Sequence, residues 1–66
     1  MNINLNGETH RCDAHITAEQ LIEQLGFAGK RLAIEINEEI LPRSQHASHT
    51  LQENDNVEIV HAIGGG

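Results

Sequence analysis

Residues 57–66 read Val57-Glu58-Ile59-Val60-His61-Ala62-Ile63-Gly64-Gly65-Gly66, an alternating stretch that runs directly into three glycines. Val57, Ile59, His61 and Ile63 fall on one side of an extended chain, and Glu58, Val60 and Ala62 on the other. That period of two predicts a strand with one buried face. At the far end of the chain Met1, Ile3 and Leu5 alternate with Asn2, Asn4 and Asn6 in the same way. A last strand has to pair near the first to close one core, and such a crossover needs a long connection.

The residues between supply that connection. Asn6-Gly7 is a strong hairpin signal, because both residue types tolerate the positive φ of a two-residue turn. A second strand over 8–12 follows, with Leu5 facing Glu8, Ile3 facing His10 and Met1 facing Cys12. Thr17-Ala18-Glu19-Gln20 is a capping box that opens a helix, Ile16 is placed to staple onto Leu21, and Leu21, Ile22 and Leu25 form its apolar stripe. Gly26 stops it. Leu32, Ile34 and Ile36 predict a third strand ending at Asn37-Glu38, and Ile40-Leu41 a short edge strand that Pro42 terminates. Residues 44–56 are polar apart from Ala47 and Leu51 and read as a loop closed by a turn over 53–56. The order strand, strand, helix, strand, short strand, strand is α+β, with one helix across one face of a mixed sheet.

Sixty-six residues allow a single small core. Four Lys or Arg against ten Asp or Glu leave a net charge of −6, which repels nucleic acid backbones and anionic lipid surfaces. Phe27 is the only aromatic residue, so a platform for stacking bases is missing as well. The single cysteine, Cys12, excludes an internal disulfide and, with no signal-like start, predicts a reducing cytoplasm. The longest apolar run, Leu32-Ala33-Ile34, is far too short to span a membrane.

The three terminal glycines carry the chemistry. Without side chains they pass through a narrow channel, and three extended residues reach ~10 Å beyond the domain. A carboxylate at their end is ionised and inert until something activates it, as acyl adenylation by ATP does. A last strand that hands over to a terminal Gly-Gly, after this order of elements, resembles the ubiquitin-like β-grasp family. The length, the Asn6-Gly7 hairpin, Asn37 through Leu41-Pro42-Arg43 and residues 57–66 are similar, within it, to the ThiS family of sulfur carriers of thiamine biosynthesis. The similarity covers the whole chain. It implies a β-grasp domain over 1–63, a flexible glycine tail over 64–66, and a carrier rather than an enzyme, with no cofactor of its own. It implies that a ThiF-type enzyme adenylates Gly66. Sulfur from a cysteine desulfurase persulfide then displaces AMP to leave a thiocarboxylate, which thiazole synthase of the ThiG type accepts. Gly65 and Gly66 match the family's terminal pair, whereas Gly64 stands where many members carry another small residue; Gly64 and Gly65 thread the tail. The same tail suits a MoaD-type carrier for molybdopterin, whose chains are usually longer, a carrier for tRNA thiolation, or a ubiquitin-like modifier joined to a lysine.

Other residues compete for a role. Cys12 shares the inward face of the first hairpin with Met1, Ile3 and Leu5, which makes it a small core residue rather than a sulfur-handling thiol. His10, Cys12 and His15 have the spacing of metal ligands, but a fourth ligand is missing and no metal site is expected. His46 and His49 read as solvated, and Arg43, Glu19 and Glu23 as surface charge. No nucleophile, base and orienter can be combined into a catalytic site. Val60 and Ala62 point away from the helix and, beside Ala33, form a candidate apolar patch for docking a partner.

Overall fold

The computed structural model describes residues 1–61. Ala62, Ile63, Gly64, Gly65 and Gly66 lie outside the described residues, and with them the outer bound of the domain expected over 1–63 and the tail expected over 64–66. Five strands, β1 (Asn2–Leu5), β2 (Glu8–Arg11), β3 (Leu32–Ile36), β4 (Glu39–Ile40) and β5 (Asn56–His61), form one sheet in the order β2-β1-β5-β3-β4. The first strand lies parallel to the last and every other pairing is antiparallel, so the sheet is mixed. One helix, α1 (Ala18–Gln24), covers one face.

The turn chemistry sets the register. Asn6 and Gly7 take φ values of 50° and 84°, and the hairpin pairs Leu5 with Glu8 and Ile3 with His10 as the sequence predicts. The strand assignment stops at Arg11 rather than Cys12, yet Cys12 N donates to Met1 O at 2.9 Å and the Met1 ammonium to Cys12 O at 2.8 Å. The second hairpin turns on Asn37 and Glu38, both also at positive φ, which pairs Ile36 with Glu39 and Glu35 with Ile40. The edge strand is therefore Glu39–Ile40 instead of Ile40-Leu41, and Leu41 is freed to bury its side chain.

Ile3, Ile34, Ile36, Val57 and Ile59 form the inner face of the sheet, and Ala18, Leu21 and Ile22 of α1 lie in the same buried cluster. Cys12, Ile16, Leu41 and Leu51 complete it. Each fully buried aliphatic side chain here contributes about 1.5–3 kcal/mol.

A helix of seven residues is too short to stand alone, so its ends matter. Thr17 Oγ1 accepts from Gln20 N at 3.1 Å, and the Gln20 side chain accepts from Thr17 N at 3.0 Å. Residues 44–56 form the polar loop expected of them, with a turn at 53–54, but the loop is hydrogen-bonded to the helix start. A 3-10 turn (Arg43–Gln45) opens a strap, and its carbonyls cap the helix: Ala18 N donates to His49 O and Glu19 N to His46 O, both at 3.0 Å. The first three helical amides are thereby all satisfied. Leu51, almost fully buried, anchors the far end of the strap, where Leu51 N donates to Ile16 O at 2.8 Å.

Candidate functional site

Alternation along β5 separates two surfaces. Val57 and Ile59 are buried under α1, while Glu58 and Val60 face the other way and are exposed. On neighbouring β3, Ile34 and Ile36 are buried and Ala33 is exposed. Ala33 and Val60 are direct partners across the β3–β5 ladder, so the two described members of the expected patch do meet. Ala62 lies outside the described residues.

One residue pair further along, Glu35 faces Glu58 on one side and Ile40 on the other. Ile40 is thus the diagonal neighbour of Ala33 on the same open face. Val60 and Ile40 are 58% and 70% exposed and are the large hydrophobic side chains most open to solvent among the described residues. Together with Ala33 they make an apolar strip across β5, β3 and β4, with two carboxylates beside it. Like charges directly opposite one another weaken an antiparallel pair, so Glu35 and Glu58 add nothing to the ladder they sit on. Parity along β5 signals Val60, but a two-residue strand has no period from which the outward direction of Ile40 could be read.

Two asparagines hold β5 in place. Asn6 Oδ1 accepts from Ile59 N at 2.8 Å, Asn6 Nδ2 donates to Ile59 O at 3.4 Å, and Asn6 N donates to Val57 O at 2.9 Å. At the start of the strand, Asn37 Oδ1 accepts from Asn56 N at 3.0 Å and Asn37 Nδ2 donates to Asp55 Oδ1 at 3.1 Å. The described part of β5 closes at His61, whose ring meets the half-buried Phe27 edge-on, with centroids 4.4 Å apart and planes at 88°. Phe27, Ile22 and Leu32 also floor an open groove of about 260 Å³ on the helix side, bordered by Lys30, Arg43, His46, Glu19 and Glu23.

The remaining candidates fall into structural roles. Cys12 is buried in the core, and burial pushes its thiol above the ordinary range; Asp13 and Glu53 push the same way, against the pull of the N-terminal ammonium. A thiol held protonated is a poor nucleophile. His10 is half-buried while His15 is exposed, and among the described residues no three His, Cys, Asp or Glu side chains converge on a metal position. His46 and His49 are half-buried rather than solvated, because their backbone carbonyls cap α1 and the His46 ring nitrogen Nε2 lies 3.2 Å from Leu41 O.

Comparison with known proteins matches residues 3–66 to the ThiS family. Over all 66 residues the chain is 46% identical to a thiazole synthase of Magnetococcus marinus, of which it spans about a fifth (20%). It is 36% identical to the sulfur carrier protein ThiS of Escherichia coli, with both chains covered completely. Its fold superimposes on the crystal structure of the thiamine biosynthesis protein ThiS from Geobacter metallireducens with a TM-score of 0.86, at 29% identity and full coverage of both chains. That likeness makes the mixed sheet and single helix a ubiquitin-like β-grasp fold.

Proposed function

The chain belongs to the ThiS family, and from that premise we propose that it is a sulfur carrier of thiamine biosynthesis. The observation that carries this reading is the course of β5: the central strand of the sheet continues in sequence into Gly64-Gly65-Gly66, and the family match extends with it to residue 66.

In this reading the chain is a substrate for other enzymes and performs no catalysis. A ThiF-type enzyme adenylates the Gly66 carboxylate, which turns an inert oxygen into a leaving group. The outer sulfur of a cysteine desulfurase persulfide attacks the acyl adenylate and displaces AMP, and a thiol reductant then cleaves the S–S bond of the resulting acyl disulfide to leave the thiocarboxylate. Gly64 and Gly65 thread the tail, since a side chain would obstruct a narrow channel. The protonated, buried Cys12 takes no part, so the sulfur is held at the terminus alone. Thiazole synthase then accepts the sulfur; the stretch of a Magnetococcus thiazole synthase that is similar to this whole chain supports that partner. The reading places the protein in the cytoplasm, where a lone thiol stays reduced.

Ala33, Val60 and Ala62 dock the activating enzyme, with Ile40 extending the apolar contact that Val60 begins. The like-charged pair Glu35 and Glu58 borders that contact.

Two experiments test this. After incubation with ATP, a ThiF-type enzyme and a sulfur source, the intact mass should rise by the exchange of one oxygen for sulfur. Deleting Gly65 and Gly66 should abolish the gain while the melting curve stays where it was; a truncated chain that still takes up sulfur rules the mechanism out. Val60→Asp tests the docking face. An exposed substitution should cost under ~0.5 kcal/mol of stability. The same carboxylate pressed into an apolar contact loses hydration without a partner and should weaken binding to the activating enzyme about a hundredfold. Unchanged affinity removes Val60 from the interface.

A further inference from the structure

We propose that Asn6 is a modification site: its side-chain amide deamidates when β5 releases it, and the isoaspartate product no longer ties β5 to the first hairpin. Of the asparagines at 2, 4, 6, 37, 54 and 56, only Asn6 precedes a glycine. The backbone nitrogen of Gly7 is therefore the one least hindered for attack on the preceding side chain, and the space around the glycine is open, with nothing within 4 Å of where a Cβ would stand.

The reaction needs only water. The Gly7 amide nitrogen gives up its proton and attacks Asn6 Cγ; a new C–N bond forms, the bond from Cγ to Nδ2 breaks, and ammonia leaves. Water opens the resulting succinimide at either carbonyl, which yields aspartate or isoaspartate. One water is consumed and one ammonia released, with no change of oxidation state.

In the folded chain this attack is held off. Asn6 Oδ1 is fixed by Ile59 N at 2.8 Å and Nδ2 lies 3.4 Å from Ile59 O, so the amide is turned toward β5. Asn6 itself sits at φ 50° with its own amide bound to Val57 O. Ring closure requires the side chain to leave Ile59, so the reaction proceeds through local opening of the strand. The consequence is lasting. Only two residue pairs, Asn4 with Asn56 and Leu5 with Val57, form the β1–β5 ladder, and the Asn6 side chain extends that contact to Ile59, next to Val60. An aspartate still accepts from Ile59 N but has no proton to give to Ile59 O. An isoaspartate in addition lengthens the backbone of a two-residue turn whose geometry sets the register.

The full chain, incubated at mildly alkaline pH with and without urea and then mapped by peptide mass, tests the site. The expected result is conversion at Asn6 and not at the other five asparagines, about tenfold or more slower in the folded chain than in urea, as opening-limited chemistry requires. Equal rates in both conditions, or another asparagine reacting as fast, overturn the proposal. The consequence is read by amide hydrogen exchange at Ile59 in the purified isoaspartate species, which should be about tenfold faster than in the parent protein. Asn6→Ala supplies a second measurement: it should remove the mass change and accelerate the same amide. An Ile59 amide that exchanges at the parent rate in both overturns the link to β5.

Discussion

The two hairpin turns of the sheet, Asn6-Gly7 and Asn37-Glu38, begin with the same residue type and place both of their residues at positive φ. Both leading asparagines also reach sideways to β5, Asn6 to Ile59 and Asn37 to Asn56. They differ in the second position and in burial. Gly7 adopts φ 84° without penalty, whereas Glu38 is held at φ 70° with a Cβ that disfavours it. The bonds of Asn6 are partly buried and those of Asn37 are exposed. Turning the chain and gripping the neighbouring strand are thus separate tasks. The second residue governs how easily the turn forms, and the asparagine governs where β5 lies.

If burial decides the strength of the two grips, Asn6→Ala should be the most damaging change in either turn. It strips the partner from a partly buried Ile59 amide and should cost about 1–3 kcal/mol in urea unfolding. Asn37→Ala should cost less, about 0.5–1.5 kcal/mol, because water replaces the lost acceptor at the exposed Asn56 amide. Should the second loss equal the first, burial does not rank the grips and the contrast collapses. Glu38→Gly should have the smallest effect and the opposite sign. Relief of the left-handed conformation gives back ~1–2 kcal/mol, and the looser unfolded chain takes back ~0.4–1 kcal/mol. A destabilised Glu38→Gly would show instead that the Glu38 side chain contributes something beyond its backbone conformation.

Asn6-Gly7 announces itself in the sequence and so does its register, because the glycine makes the turn type unambiguous. Asn37-Glu38 marks the end of a strand without showing that the next begins two residues later, since glutamate is not a residue that turns favour. That is why β4 is displaced by one residue from its expected position. The capping box and the parity of β5 are equally legible, being patterns of side chains. The strap over 44–56 is not, because it works through the carbonyls of His46 and His49, and a backbone group leaves no mark on residue type. In the candidate site the same division holds. Ala33 and Val60 follow from alternation along strands of five and six residues, while the outward Ile40 depends on a pairing that only the folded sheet defines.

The strand placed at the centre of the sheet, β5, is also the last of the five to be synthesised. Translation adds roughly 5–20 residues each second, whereas a hairpin closes within microseconds. The β1–β2 hairpin therefore emerges first and waits with no strand beside it to join, and an isolated hairpin is marginal in water. Through that interval Ile3, fully enclosed in the finished protein, remains open to the solvent and to other chains. The nascent domain is most exposed to misassembly until residues 56–61 leave the ribosome, so anything that holds them back lengthens the risk.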